Sequence, residues 1–476
     1  MRSVDVAILG AGTAGLSARR AAKTAGASVV MIDPGPLGTT CARVGCMPSK
    51  LLIAAADAAH HARHADMFGV HAGGVTVDGP AVMARVQAER DRFVGFVNEV
   101  TTEAAEEDEL IIGRGVITGP GELTVGDETV AWKRLVVATG STPFVPPPFR
   151  SITPALMTND HIFEMADLPE SLLVIGLGVI GLELGQALAR LGVRTTLLGV
   201  GGAIGPLSDP EILTAAREIF SAELDLHPDY TLHEIALNDA GQVRIQFTDS
   251  AGVARDETFE KVLMAAGRRP NLRTLGLDKL GITPDERGRY TVDPNTLQVG
   301  DAPVFLAGDV NNLHPLLHEA ADDGRAAGRN AARFPELQVR ENRTSLAIAF
   351  TDPQIGLVGQ RWADIADCSA VAGEVDYGNQ GRARVQGINR GKVRIYGDRH
   401  TGRLLGAELL GPRVEHTAHL LAWAIQQGLT VEAALKMPFY HPVIEEGIRT
   451  ALRDLRANLH RGARIKCRVS ELGVGS

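Results

Sequence analysis

The 476-residue sequence is poor in cysteine and contains no long apolar run. Its four cysteines, Cys41, Cys46, Cys368 and Cys467, are too few for a secreted scaffold held together by disulfides. No run of about 18 apolar residues occurs, so no membrane span is predicted. Asp5 interrupts the apolar N-terminus, which does not resemble a signal peptide, and we therefore expect a cytoplasmic protein.

The sequence also contains fewer positively charged than negatively charged residues. Lysine and arginine number 48 against 57 aspartates and glutamates, which gives a net charge of -9. A nucleic-acid-binding surface needs clustered positive charge, so nucleic acid is not an expected partner. Apolar residues make up 45% and charged residues 22%, as is typical of globular proteins. At about 150 residues per domain, the length indicates roughly three domains.

A glycine motif directly follows the first apolar segment of the chain. Residues 4–9 predict a strand, Gly10, Gly12 and Gly15 form a G-x-G-x-x-G turn, and an alanine-rich helix is predicted next. Asp33 ends the following apolar segment. The glycines would let backbone amides approach a pyrophosphate at a helix N-terminus, and the acid would accept hydrogen bonds from a ribose. This pattern indicates a dinucleotide-binding unit.

The same arrangement recurs in the middle of the chain. A predicted strand at 172–175 leads into Gly176, Gly178 and Gly181, and a helix and another strand are predicted at 181–191 and 194–198. Gly199 occupies the place where the ribose-binding acid is expected, and no arginine follows immediately. A glycine neither bonds a 2′-hydroxyl nor repels a 2′-phosphate, so the choice between NAD and NADP stays open.

Two cysteines lie close together after the first dinucleotide unit. Four residues separate Cys41 from Cys46, which is not the spacing of a zinc ribbon or a thioredoxin-type motif. Pro48 and the apolar residues 51–59 predict a helix that begins just after Cys46. The helix dipole and Lys50 would favour a thiolate at its start. A redox-active disulfide is the favoured interpretation, and two unpaired cysteines are the alternative.

A histidine near the C-terminus is harder to interpret from its surroundings. His441 precedes Pro442, which suits the first turn of a helix, and Glu446 would lie near the positive helix end. A carboxylate five residues away could orient an acid–base histidine. Taken alone, a surface histidine at a helix start is the favoured interpretation.

Together these motifs resemble the pyridine nucleotide–disulfide oxidoreductase family over essentially the whole chain. The similarity rests on C-x4-C-x-P-S-K, the two glycine motifs, A-G-D ending at Asp309, and H-P-x-x-x-E from His441. It implies an α/β fold with two Rossmann-like dinucleotide-binding domains, for FAD and NAD(P), and a C-terminal α+β dimerisation domain. Two features indicate the limits of these domains. Residues 143–148 are rich in proline, and from about residue 341 short predicted strands alternate with predicted helices. We expect an FAD-binding domain at 1–148 and 277–340, an NAD(P)-binding domain at 149–276 and a dimerisation domain at 341–476.

The resemblance also implies roles for single residues. The residues that would hold FAD are Gly10, Gly12, Gly15, Asp33, Lys50, Thr139, Gly140 and Asp309. Those that would hold the pyridine nucleotide are Gly176, Gly178 and Gly181. Glu183 would pair with Lys50 beside the flavin. The residues implied to be catalytic are Cys41, Cys46, Lys50, His441 and Glu446. His441 and Glu446 would come from the partner subunit, so the resemblance implies a homodimer with shared active sites.

The reaction implied is oxidation of a dithiol by a Cys41–Cys46 disulfide, with the electrons passing through FAD to NAD+. Within the family, the chain resembles the dihydrolipoamide dehydrogenases, which makes a lipoyl-bearing acyltransferase of a 2-oxo-acid dehydrogenase complex a candidate partner. Alternatives are a glutathione reductase-like or mercuric reductase-like enzyme using NAD(P)H, and a chiefly structural subunit of such a complex. A flavin transhydrogenase would lack the cysteine pair.

Two groups of polar residues, the histidines at 60–64 and the basic residues near the C-terminus, are interpreted as parts of the protein surface. His60, His61 and His64 predict a solvated helix face, and no metal site is predicted. Cys467 is single, whereas mercuric reductases relay the metal through a C-terminal cysteine pair. The basic residues near the C-terminus, interpreted as a charged surface, are Arg453, Arg456, Arg461, Arg464 and Lys466.

Overall fold

The computed structural model describes residues 1–286, 288–365 and 369–461. Cys368, Cys467, Arg464 and Lys466 lie outside the described residues. The strands are β1 (Arg2–Leu9), β2 (Val29–Asp33), β3 (Leu110–Ile112), β4 (Gly115–Gly119), β5 (Glu122–Val125), β6 (Glu128–Val137), β7 (Ser141–Pro143), β8 (Leu156–Met157), β9 (Ser171–Ile175), β10 (Arg194–Leu198), β11 (Asp225–His227), β12 (Thr231–Leu237), β13 (Val243–Thr248), β14 (Ala254–Phe259), β15 (Lys261–Met264), β16 (Arg268–Pro270), β17 (Val304–Leu306), β18 (Leu346–Ala349), β19 (Gln354–Gly359), β20 (Ala370–Asp376), β21 (Lys392–Asp398) and β22 (Leu404–Gly411). The α-helices are α1 (Thr13–Thr24), α2 (Thr40–Val44), α3 (Cys46–Arg63), α4 (Gly79–Glu106), α5 (Asn159–Ile162), α6 (Val179–Arg190), α7 (Pro210–Ser221), α8 (Leu317–Arg333), α9 (Gly381–Gln386), α10 (Val414–Gln426), α11 (Val431–Leu435) and α12 (Glu446–His460).

The first sheet is built around β1, which pairs in parallel with β2 on one side and β6 on the other. The strand order is β3-β2-β1-β6-β5-β4, and β17 pairs in parallel with the end of β6. Helices α1 and α8 lie against each other because small residues face one another. A side chain on Gly324 would collide with the carbonyl of Ala14, and one on Gly328 would collide with that of Ala18. This close approach fixes the start of α1, where the first glycine turn lies.

The second sheet is parallel throughout, in the order β11-β10-β9-β15-β8. Its strands β9 and β15 are almost continuously buried and apolar, as expected when both faces of a parallel sheet are covered. Helix α6 follows β9 through the second glycine turn. A three-stranded antiparallel sheet, β12-β13-β14, and the small pair β7–β16 complete this part of the chain.

The third large sheet is antiparallel, in the order β18-β19-β22-β21-β20, with α10 and α12 packed on it. The predicted α/β fold class, with two dinucleotide folds and a C-terminal dimerisation region, is confirmed. The domain limits at 148, 276 and 340 stay predictions. Within the described part of the chain, every helix is too short or too polar to cross a lipid bilayer.

The prediction that Pro442 lies in the first turn of a helix was wrong, because α12 begins four residues later, at Glu446. The backbone at Val443 is held by side chains instead of by helical bonds. Gln380 Nε2 donates to the Val443 carbonyl at 2.8 Å, and the Val443 amide donates to Glu446 at 3.2 Å. His441 therefore lies in a turn before the helix. Glu446 does lie in the first helical turn, as predicted.

A buried carboxylate joins the loop after β10 to the antiparallel sheet. Glu408 on β22 is fully buried and accepts the backbone amides of Ser208, Asp209 and Trp362 at 2.8, 2.9 and 3.0 Å. Asp209, also fully buried, caps α7 and accepts Arg394 Nη1 at 2.7 Å. The second sheet and the antiparallel sheet are therefore connected by hydrogen bonds to two fully buried carboxylates.

Replacing Glu408 by alanine should be strongly destabilising. It leaves three backbone amides without an acceptor, and we expect a loss of about 3 kcal/mol and a Tm lower by roughly 3 °C. Differential scanning calorimetry measures the shift. The matched control is Glu128→Ala, an exposed residue at the start of β6, which should change the Tm little. Equal shifts for the two variants would contradict this account of the contact.

Candidate active site

The first glycine turn has the shape that a bound pyrophosphate needs. Gly10 has a φ of +106°, and a side chain there would collide with the carbonyl of Ala138. A side chain on Gly15 would collide with the carbonyl of Gly10, so α1 could not start so close to β1. No atom lies within 4 Å of the place where a Cβ on Gly12 would be. The backbone is thus open at Gly12, at the N-terminus of α1, where a phosphate can approach.

Asp33 ends β2 beside this turn. Its Oδ2 accepts the amide of Ala11 at 2.7 Å, and its Oδ1 accepts the amide of Gly35 at 2.7 Å. The carboxylate is therefore held in one orientation at the carboxyl edge of the sheet. Open backbone at Gly12 and an oriented acid at the end of β2 fit the adenosine half of FAD.

The other residues expected near FAD lie at the end of β6 and after β17. Thr139 Oγ1 donates to the carbonyl of Asn271 at 2.8 Å, and the amide of Asn271 donates to Gly140 at 3.0 Å. Asp309 Oδ2 accepts the hydroxyl of Ser141 at 2.8 Å. Asn271 was not found from the sequence, because it is far along the chain from the turn that it closes.

The two cysteines lie at the junction of two helices. Cys41 is in α2 and half-buried, and Cys46 is the first residue of α3 and exposed. Both are free thiols in this structure, close enough for a hydrogen bond between them. That hydrogen bond, with the positive charge of Lys50, lowers the pKa of Cys46 to about 7. The pKa of Cys41 is raised, because its thiol donates this bond and is partly buried. Cys46 is the thiolate of the pair.

Lys50, one turn into α3, is fixed by a buried acid. Its Nζ lies 3.0 and 2.8 Å from the two carboxylate oxygens of Glu183 on α6, which is only 4% exposed. Glu183 also accepts the amide of Phe350 at 2.8 Å, and Lys50 Nζ lies 4.6 Å above the Phe350 ring. The predicted Lys50–Glu183 contact is present, and Phe350 was not foreseen.

The second glycine turn repeats the geometry of the first. Gly176 has a φ of +110°, and side chains on Gly176 or Gly181 would collide with the carbonyls of Ala265 and Gly176 respectively. The space around Gly178 is open. In the first turn, the carboxylate of Asp33 lies at the end of β2. In the second turn, the equivalent place at the end of β10 is occupied by Gly199, which has no carboxylate. The turn therefore fits a pyrophosphate, but it does not itself provide a carboxylate that could bind the adenine ribose of the coenzyme.

His441 and Glu446 contact each other, at 3.1 Å from His441 Nδ1 to each Glu446 oxygen. The hydrogen bond from His441 is the main cause of a lowered pKa at Glu446, so this carboxylate is ionised at neutral pH. The His441 side chain is 80% exposed. Among the described residues, its hydrogen-bond partner is Glu446 and neither cysteine.

Two residues that the sequence did not single out tie the cysteine region to the second sheet. Asn159 Nδ2 donates to the carbonyl of Val44 at 2.8 Å, between the two cysteines, and its Oδ1 accepts Arg268 Nη1 at 3.1 Å. Arg268 also donates to the Ser141 hydroxyl at 2.8 Å. The G-R-R-P sequence at residues 267–270, which two residues separate from the end of β15, is the local signal that could have indicated Arg268.

Of the three histidines at the end of α3, one differs from the predicted solvated face. His61 and His64 are exposed, but His60 is mostly buried, with Nδ1 3.9 Å from Glu223. Burial, and then the charge of Arg190, lower the pKa of His60 to about 4, so it is neutral. Arg190 is itself surrounded by Asp57, Glu223 and Asp352. The prediction was wrong for His60, because α3 turns this residue toward α6.

An apolar cavity of about 420 Å³ opens onto Cys41. Its walls come from α1, the start of α3 and the middle of α4. Leu16 and Met47 line one side, and Arg20 is its charged residue. The other apolar lining residues are Phe93, Phe96, Val97, Val100 and Leu317. Cys41 is itself one of the residues that line this cavity.

Comparison with known proteins shows what this arrangement is similar to. The chain is 32% identical over 459 residues to a dihydrolipoyl dehydrogenase of Halobacterium salinarum, covering 94% of this chain and 95% of that one. It is also 32% identical over 478 residues to a mercuric reductase of Streptomyces lividans, covering 97% and 98%. The crystal structure of LpdA from Mycobacterium tuberculosis matches with a TM-score of 0.80 at 26% identity, covering 95% of this chain and 99% of that chain.

The family matches cover most of the sequence. Residues 4–324 match the pyridine nucleotide-disulphide oxidoreductase family, and residues 346–452 match the dimerisation domain of the same family. The first match includes both glycine turns and the cysteine pair. The chain therefore belongs to the pyridine nucleotide-disulphide oxidoreductases, enzymes that use FAD and a pyridine nucleotide, and it carries their dimerisation domain.

Proposed function

We propose that the protein is a dihydrolipoyl dehydrogenase, which oxidises a lipoyl dithiol through Cys41 and Cys46 and delivers the electrons to NAD+. The observation that carries the proposal is the thiol pair at the start of α3. One thiol has its pKa lowered beside the Lys50–Glu183 pair, and the other opens onto an apolar cavity. The two sulfurs therefore have different roles: Cys41 faces the substrate, and Cys46 carries the negative charge.

The lining of the cavity supports a lipoyl substrate. A dihydrolipoyl group presents two thiols on an aliphatic chain, and the walls beside Cys41 are mainly Leu, Phe, Val and Met side chains. Burial of such a chain is favoured by about 0.8 kcal/mol per CH₂ group. Glutathione disulfide carries several carboxylates and peptide groups, and burying these without partners is unfavourable. Arg20 is the charged group that lines this cavity.

The cofactor positions follow from the two glycine turns. We place FAD in residues 1–148 and 277–340, with Gly10, Gly12, Gly15 and Asp33 at its adenosine end. Thr139, Gly140, Asp309 and Lys50 lie toward its other end. The pyridine nucleotide is placed in residues 149–276, at Gly176, Gly178 and Gly181. The chemistry that bound FAD supplies is two-electron exchange between the cysteine pair and the nicotinamide.

The thiol chemistry is assigned to the side chains. His441 of the partner subunit removes a proton from the substrate dithiol, and Glu446 orients its ring and stabilises the charged form. The substrate thiolate attacks the Cys41 sulfur of the disulfide, so the Cys41–Cys46 bond breaks and Cys46 leaves as a thiolate. The second substrate thiol then attacks the substrate sulfur bonded to Cys41, so the mixed disulfide breaks, its proton passes to the departing Cys41 sulfur, and the oxidised substrate is released. Lys50 and the helix dipole stabilise the Cys46 thiolate.

Shared active sites are proposed because His441 is exposed in a single chain. Large apolar side chains are also exposed in this part of the chain: Met437 and Tyr440 (79% exposed) precede His441, and Leu420 and Trp423 (73% exposed) are on α10. A second copy of the chain, joined through the matched dimerisation domain, would cover them. A lipoyl-bearing acyltransferase remains the proposed carrier of the substrate, and a cytoplasmic location stays a prediction.

Mercuric reduction is the second candidate. It is favoured by the 32% identity to the Streptomyces lividans mercuric reductase over 97% of this chain. In that case the same thiol pair would bind the metal ion as substrate. The lining of the cavity is the reason for ranking the lipoyl substrate first.

Steady-state kinetics should identify the substrate. We expect lipoamide to be turned over with a kcat/KM at least about 100-fold above those for glutathione disulfide and mercuric ion, because burial of an aliphatic chain contributes several kcal/mol. Cys46→Ser should abolish lipoamide turnover and retain FAD, measured by absorbance. A preference for mercuric ion, or full lipoamide turnover by Cys46→Ser, would contradict the proposal.

Mixed dimers should test whether the active site is shared. Cys46→Ser and His441→Gln homodimers should each be nearly inactive. A hybrid of the two contains one site with both native residues, so mixing after subunit exchange should restore up to half of the activity per hybrid dimer. Cys46→Ser mixed with itself is the control. Absence of recovery in isolated hybrids would mean that both residues act within one chain.

The thiolate assignment should be visible in chemical modification. In a Cys41→Ser variant, whose hydroxyl can still donate a hydrogen bond, the rate of Cys46 alkylation should rise with pH and be half-maximal near 7, because the thiolate reacts. Peptide mass spectrometry separates Cys46 from the other cysteines. Adding Lys50→Met should move the midpoint toward 9, because the positive charge is lost. A midpoint near 9 with Lys50 intact would refute the assignment.

A further inference from the structure

We infer that Asp229 is the carboxylate that binds the adenine ribose of the pyridine nucleotide, in place of the acid missing at Gly199, and that it selects NAD(H) over NADP(H). The inference rests on the proposed position of the coenzyme at the second glycine turn. It assigns the coenzyme preference to a residue on a different strand from the one where the family pattern looks for it.

Position 199 has no room for an acid. A Cβ on Gly199 would lie 2.7 Å from Leu177 Cδ1, 2.8 Å from Leu177 Cγ and 3.1 Å from the carbonyl oxygen of Pro228. Leu177 belongs to the core and is only 5% exposed, so it has little freedom to move aside. The Gly199 amide is also held, at 2.8 Å from the carbonyl of His227. The glycine is therefore required by the packing of this edge.

Asp229 reaches the same edge from the neighbouring strand. Strand β11 pairs in parallel with β10, and the carboxyl ends of parallel strands meet at the edge where dinucleotides bind. Asp229 comes two residues after β11. Its Oδ1 accepts the amide of Gly201 at 3.1 Å and that of its neighbour Tyr230 at 3.1 Å. The acid is thus bonded to the loop that follows Gly199.

The other oxygen of Asp229 is available to a ligand. The residue is exposed, and within the described residues its Oδ2 has no hydrogen-bond partner. No atom lies within 4 Å of where a Cβ on Gly201 would be, so the loop leaves open space beside the acid. A ribose diol needs such an arrangement, with a fixed carboxylate and room above it.

Asp33 provides an internal comparison. It ends the equivalent strand beside the first glycine turn, and its carboxylate is also anchored by two backbone amides, those of Ala11 and Gly35. Two anchoring bonds reduce the conformational entropy that a carboxylate loses when it binds. The second turn repeats this anchoring, but one strand further along the sheet.

The charge of Asp229 determines the direction of the preference. A 2′-phosphate would be repelled by the carboxylate, whereas a 2′-hydroxyl would donate to it. Arg217 on α7 opposes this effect, since its Nη2 lies 3.5 Å from where a Cβ on Gly202 would be. Arg217 is exposed and, within the described residues, has no ion-pair partner, while Asp229 is anchored by two backbone amides. We therefore expect the anchored acid to be the stronger determinant, and the arginine to become decisive only without it.

Binding of the adenine half alone tests the inference on the FAD-loaded dimer, in which the first glycine turn is occupied. Isothermal titration with ADP-ribose and with 2′-phospho-ADP-ribose needs no turnover. We expect the native protein to bind ADP-ribose at least about tenfold more tightly. Asp229→Asn, whose amide oxygen can keep the Gly201 contact, should bind ADP-ribose about tenfold more weakly, because a charge-assisted hydrogen bond is lost.

The controls separate this effect from a general loss of charge. Asp229→Asn should bind 2′-phospho-ADP-ribose more tightly than the native protein, and adding Arg217→Gln should remove that gain. Asp239→Asn, an exposed acid in the turn between β12 and β13, should bind both probes as the native protein does.

Three results would overturn the inference: a native preference for the 2′-phosphorylated probe, an unchanged preference in Asp229→Asn, or binding of neither probe. The last would also refute the proposed coenzyme position. If lipoamide is not turned over but the expected probe preferences are found, the proposed substrate is wrong and Asp229 keeps its role.

Discussion

The ion pair between Lys50 and Glu183 is the contact on which the arrangement of the active site depends. Glu183 is buried on α6, so its charge needs a partner, and removing either member would leave an uncompensated charge in a poorly solvated place. The pair joins α3, which carries Cys46, to the helix that follows the second glycine turn. Through the amide of Phe350 it also reaches the antiparallel sheet. The Glu183 carboxylate thereby connects three parts of the chain: the helix that carries Cys46, the helix after the second glycine turn, and the dimerisation region.

Hydrogen bonds of long sequence separation reinforce this relation on both sides. Asn159 and Arg268 connect the carbonyl of Val44, between the cysteines, to Ser141 at the end of the first sheet. Glu408 ties the loop after β10 to β22. These polar contacts are largely shielded from water, where a hydrogen bond left unmade is costly. The cysteines are therefore held by the whole fold, and the helix start alone does not explain their position.

The sequence predicted the features whose causes are local. A glycine turn between a strand and a helix, and a thiol at a helix start, are each determined by a few consecutive residues, and Gly10, Gly176 and Cys46 lie where expected. Glu183 was expected only through the family resemblance, since nothing in α6 itself indicates a partner 133 residues away. Asn271, Arg268 and Asp229 could not be predicted, because their significance depends on which strands become neighbours. The start of α12 was misplaced because Gln380, from a distant turn, holds Val443.

The tight packing around Gly199 also restricts the order in which this edge of the sheet could change during evolution. A carboxylate cannot appear at position 199 while Leu177 fills the space, and shortening Leu177 first would open a void in the core. Either substitution alone is therefore disfavoured, although an acid at position 199 and a shorter side chain at position 177 would fit together. Descendants of this chain are more easily altered at the tip of β11, where the exposed position tolerates substitution, so divergence in coenzyme use is expected to accumulate there.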